Sequence, residues 1–219
     1  MALTFPLAAA EFFDTLKVRQ MTFDCPEQVQ VARTGGGEIL PANIGPRLWT
    51  GEVVLWQQRH SVVAPVLAMI SALREPGASF LAYDLTAPAP QSDPAGAALA
   101  TMTPLILALP SDDASMVSLK GLPSGFVLTA GDYLGFSYGT NPVRRALHRV
   151  VSGVVASGTG QTAAFEVTPP RRPGAAINTA VSLVKASCKA RIVPGSVSSG
   201  AAAAGITSGI TFKFMQTLR

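Results

Sequence analysis

Alternation of apolar and polar positions, more than helical spacing, organises this chain. Gln28-Val29-Gln30-Val31 alternates as a half-buried strand does. From Trp49 to Trp56 the odd positions set Trp49, Val53 and Leu55 on one face. Ser79–Asp84 is short and aromatic, and Leu105–Leu109, Met116–Leu119, Tyr133–Tyr138, Ala146–Val155, Ala163–Thr168 and Val181–Ile192 are further strand candidates. The segment Ile210–Leu218 sets Ile210, Phe212 and Phe214 against Thr211 and Lys213, which predicts a paired strand whose natural partners are the N-terminal strands. Turn signals separate these runs: Gly35-Gly36-Gly37, Pro76-Gly77, Asn141-Pro142, Gly158-Thr159-Gly160 and Pro173-Gly174.

Only one segment has strong helical spacing. Val62, Val66, Ile70 and Leu73 recur along one face, widened by Val63, Leu67 and Met69. Ser61 is placed to cap its start, Pro65 is tolerable within the first turn, and Glu75-Pro76-Gly77 stops it. Ala8–Leu16 is a weaker second helix. The fold class expected is mainly β: a β-sandwich or barrel domain with one amphipathic helix, plus an inserted small β-barrel domain. The Pro- and Ala-rich stretch Leu85–Thr103 reads as a linker, and the Gly/Ser/Ala stretch Pro194–Gly205 as a crossing loop. The expected domains are therefore residues 1–100 with 192–219, discontinuous, and 101–191 as the insert.

Composition narrows the function classes. The 219 residues are ample for a real core, and 48% of them are hydrophobic. Only 14% are charged, roughly half the usual share. A chain this apolar is not a disordered tail, and its poverty in charge is most cheaply explained by subunits covering one another's surfaces. The longest uncharged stretch, Ile192 to Phe212, is broken by Pro194 and four glycines, so it is no spanning helix. The opening MALTFPLAAAEFF has no Lys or Arg before its apolar run and fits a signal peptide poorly. Cys25 and Cys188, outside any CxxC or Cys/His cluster, read as buried thiols in a reducing compartment.

The net charge of +4 hides a split. Residues 1–119 carry 6 Lys and Arg against 11 Asp and Glu, whereas residues 120–219 carry 11 against 2, giving −5 and +9. Such polarity suits stacked subunits or a polyanion-binding face.

Several motifs touch on chemistry. Gly135-Phe136-Ser137-Tyr138-Gly139 matches the nucleophile-elbow pattern of α/β-hydrolases, which needs a strand-to-helix turn followed by an acid and then a histidine. Here Ser137 lies in a strand-like run, and the downstream His148 and Glu166 come in the wrong order. Thr34-Gly35-Gly36-Gly37-Glu38 lacks the Lys-Ser/Thr pair and the helix start of a phosphate-cradling loop, so it reads as a hairpin turn or subunit-contact loop. His60 and His148 have no metal-ligand spacing, and Asp112-Asp113 reads as a turn. Trp49 and Trp56 would be the platform of a carbohydrate-binding module, but two isolated tryptophans in one apolar strand read more readily as core or interface. Arg144, Arg145, Arg149, Arg171 and Arg172 would form an anion-binding face, but stacking aromatics are sparse among them, so no specific nucleic-acid binding is expected. Arginine–carboxylate contacts between subunits are the simpler use, and reversal of Arg144 and Arg145 to Glu is then expected to weaken assembly.

The runs Val31-Ala32-Arg33-Thr34-Gly35-Gly36-Gly37-Glu38-Ile39-Leu40 and Gly45-Pro46-Arg47-Leu48-Trp49-Thr50-Gly51-Glu52-Val53 resemble the opening of distal tail proteins of long-tailed bacteriophages and gene transfer agents. Gly121-Leu122-Pro123, Ala130-Gly131-Asp132-Tyr133-Leu134, Arg145-Ala146-Leu147-His148-Arg149-Val150, Phe165-Glu166-Val167-Thr168-Pro169 and Ser208-Gly209-Ile210-Thr211-Phe212-Lys213-Phe214 are similar to parts of phage baseplate components. The resemblance implies a structural virion protein, not an enzyme, needing no cofactor or metal. It implies a β-rich domain assembled into a hexameric ring at the tail tip, built in the bacterial host cytoplasm, with the tail tube and baseplate hub proteins as partners and no membrane. A peripheral β-domain would project from that ring, although residues 101–191 are few for a galectin-like one. Ring closure would use edge strands and the Val62–Leu73 helix, and the −5/+9 polarity would orient the layers. A carbohydrate-binding module and, further off, a serine hydrolase using Ser137 are the alternatives.

Overall fold

The computed structural model describes residues 3–219. The fold is mainly β, 39% strand and 9% helix, with curled sheets, one of them nearly closed into a barrel. In chain order the elements are β1 (Val18–Asp24), β2 (Val29–Arg33), β3 (Ile39–Asn43), β4 (Thr50–Leu55), β5 (Gln58–Arg59), α1 (His60–Leu73), β6 (Phe80–Ala82), β7 (Leu105–Ala108) and β8 (Met116–Lys120). They continue with β9 (Val127–Leu128), β10 (Tyr133–Tyr138), β11 (Arg144–Val150), β12 (Val154–Val155), β13 (Phe165–Thr168), β14 (Val181–Ser182), β15 (Cys188–Ile192), β16 (Ser198–Ala203) and β17 (Ile206–Gln216).

Two compact units share these elements. The flanking unit is Asp14–Ala78 with Ala190–Thr217, and the middle unit is Ser79–Lys189 with Met1–Phe13 and Leu218–Arg219. Residues 79–100 and 3–13 thus belong with the middle unit, although the sequence pattern groups them with the first domain. The reason is packing. Leu7 bridges Phe80, its N–H bonding Ser79 O at 2.9 Å, and Phe12 and Phe13 lie 5.1 and 6.0 Å from the Phe80 ring. Ala8–Leu16 is therefore two 3-10 turns, Ala9–Glu11 and Phe13–Thr15, rather than one helix. The expected linker is likewise ordered by its polar groups. Buried Asp93 accepts the N–H groups of Ala97 and Leu99, and Gln91 N–H donates to Asp132.

In the flanking unit β1, β4, β17 and β15 pair in that order, and β5 and β16 also pair with β17. The alternation read in β17 places Ile210, Phe212 and Phe214 in the core beside Trp49, Val53 and Leu55 of the β4 segment. Ring stacking fills the space between them: Phe23 lies 5.0 Å from Trp49 and 6.1 Å from Phe214. Gly51 makes this possible, since a Cβ there would sit 2.5 Å from the Phe214 ring and 2.6 Å from Thr22 O. Half of Pro194–Gly205 is strand rather than loop. β16 runs antiparallel to β17, and Gly200, at φ +75°, keeps clear of Ser208 O.

Helix α1 begins at His60, so no side chain caps it and Pro65 falls in its second turn. The buried stripe is Val63, Ile70 and Leu73, while Val62, expected inside, is exposed. In the middle unit a six-stranded sheet, β14-β10-β11-β13-β8-β7, surrounds a core that includes Ile106, Leu119, Leu134, Phe136 and Phe165. The two long strand candidates break there: Ala146–Val155 at Ser152-Gly153, and Val181–Ile192 at Lys185, which has φ 46°.

Gly51→Ala is expected to destabilise the protein by about 2 kcal/mol, because the backbone carbonyl of Thr22 cannot swing away as a side-chain tip would. Urea unfolding of the variant against the wild type measures it.

Candidate functional site

The chemistry candidates separate once placed on their strands. In the β10–β11 register Ser137 stands opposite Arg145 and His148 opposite Leu134. Ser137 and His148 are thus on opposite faces of one sheet, because side chains alternate along each strand. Ser137 is exposed, whereas His148 is buried and stacks on Phe136 at 5.4 Å. Glu166 is an exposed residue of β13. Ser137, His148 and Glu166 therefore do not form the relay that the pattern would need.

His148 instead has a structural place. Its Nδ1–H donates to Pro169 O at 2.6 Å, and Nε2 has no partner. Burial, partly offset by the Pro169 hydrogen bond, pushes its pKa down to about 4, and the nearby Arg172 charge adds to the shift. His60, the other histidine, meets Thr207 Oγ1 at 2.6 Å. Among the described residues no group of three His, Cys, Asp or Glu side chains is placed to hold a metal ion. Cys25 and Cys188 are both buried and are not joined in a disulfide.

The basic cluster is occupied internally. Arg144 Nε donates to Leu218 O at 3.0 Å and Arg145 Nη1 to Ser187 Oγ at 3.1 Å. Arg171 donates to the carbonyls of Met116 and Asp113. Arg149 donates to Tyr133 Oη and lies over that ring at 4.9 Å, while Tyr133 O–H donates to Asp84 at 2.9 Å. Burial is the main reason the Tyr133 pKa rises to about 12. Reversing Arg144 and Arg145 therefore breaks bonds inside the chain, and the variant reports on stability rather than assembly. The charge split also dissolves on folding. The flanking unit carries eight Lys and Arg against six Asp and Glu, and the middle unit nine against seven, so each is +2.

Other motifs settle into turns. Thr34-Gly35-Gly36-Gly37-Glu38 joins β2 to β3, closed by Gly37 N–H to Thr34 O at 2.9 Å. Asp113 accepts the Ser115 N–H and O–H, and these bonds hold its carboxyl below the usual range. Trp49 and Trp56 stand seven positions apart on an alternating segment. Trp49 is buried, while Trp56 is exposed with Arg19 at 5.5 Å from its ring. Trp49 is thus a core residue, as two tryptophans in one apolar strand suggest, and the two rings form no common platform.

Two surface features of the flanking unit remain. The β2–β3 ribbon pairs with no other strand among the described residues, and every residue of both strands is exposed, contrary to the half-buried strand expected over 28–31. Val29, Val31, Ile39, Leu40 and, just beyond, Ile44 are between 38% and 65% exposed. In register, Val29, Val31, Ile39 and Pro41 share one face, and Ala32, Leu40 and Ala42 the other. A two-stranded ribbon with solvent on both sides is marginal alone and gains most from being covered.

The second feature is a cavity of about 610 Å³ at the ends of α1, β15 and β17. Leu73, Ile192 and Met215 line it with apolar surface, and Arg74, Glu75 and Arg191 carry charge there. No helix among the described residues is long and apolar enough to cross a membrane. No protein-family model matches the chain, and no curated protein matches it.

Stability is expected to fall as pH drops from about 6.5 to 4. In that window the unfolded chain protonates His148 and the folded chain does not, so folding loses up to about 3 kcal/mol. Chemical unfolding at pH 7 and pH 4.5 checks this, and His148→Phe should flatten that part of the dependence.

Proposed function

We propose that the chain is a structural protein of a phage-type tail: a distal tail protein whose copies close into a ring, hexameric in this reading, between the tail tube and the baseplate hub. It acts by assembly rather than chemistry, at the tip of a virion built in the host cytoplasm. The observation that carries the proposal is the β2–β3 ribbon, an apolar arm held out in solvent by a folded domain. A self-sufficient monomer gains nothing from such an arm, whereas a subunit that reaches a neighbour does. The low charged fraction agrees with surfaces meant to be covered. The sequence resemblance supplies the identity of the assembly, and the ribbon supplies a reason for the chain to assemble at all.

Negative-stain microscopy with light scattering at moderate salt tests the reading. The expected result is a closed ring with a central pore, and a persistent 22.7 kDa monomer would count against it. The double variant Val31→Asp/Ile39→Asp, with both changes on one exposed face, should keep its unfolding midpoint and lose the ring.

A further inference from the structure

We draw no further inference here: the strongest candidate, the apolar cavity of about 610 Å³ at the ends of α1, β15 and β17, carries charges of both signs at its rim, and nothing in the structure shows what covers or fills it.

Discussion

The flanking unit depends on one long-range pairing. Trp49 N–H donates to Gln216 Oε1 across 167 positions of sequence, and Gln216 N–H returns a bond to Trp49 O. From there β17 runs antiparallel along β4, bringing Phe214 over Gly51 and Phe212 beside Val53. Closing so long a loop is entropically costly, and the aromatic core formed by Phe23, Trp49, Phe212 and Phe214 is what offsets it. α1 and the β2–β3 ribbon belong to the same unit, and the cavity lies at the end of β17 itself. Everything we assign to assembly therefore stands on a sheet that only the whole chain can complete.

This pairing was legible in the sequence, because strict alternation of Phe212 and Phe214 with polar neighbours has only one economical use. The inward face of the β4 segment was legible for the same reason. Legibility failed where a side chain's fate depends on contacts far away in sequence. Nothing local to Leu85–Thr103 announces that Asp93 caps its own backbone or that Asp84 receives the Tyr133 hydroxyl. Val62 and Val63 are indistinguishable by composition, and the packing around α1 chose the second. For Gln28–Val31 the period was right but burial was not, since alternation specifies two faces without specifying that either is covered.

Candidate chemistry misled in a consistent way. The five arginines near residues 144–172 look like a free basic face, yet Arg144, Arg145, Arg149 and Arg171 spend their donors on carbonyls, Ser187 and Tyr133. In a sheet with many turns, irregular carbonyls need donors, and arginine's fork reaches them better than lysine. The charge halves misled similarly, because the fold interleaves segments from both. What the sequence did not mark is the cavity: Arg74 and Arg191 are over a hundred positions apart, and only the ends of α1 and β15 bring them to one rim.

The covalent path adds a consequence for inheritance. The chain changes unit after Phe13, Ala78, Lys189 and Thr217, so neither unit is one uninterrupted stretch of gene. A recombination event that exchanged residues 79–189 as a cassette would leave Leu7, Phe12 and Phe13 behind, facing a Phe80 site that the newcomer must reproduce. The segments that encode Leu7–Phe13 and residues 79–189 are thus bound to diverge together. Exchange between lineages should favour replacing these segments together over shuffling either alone.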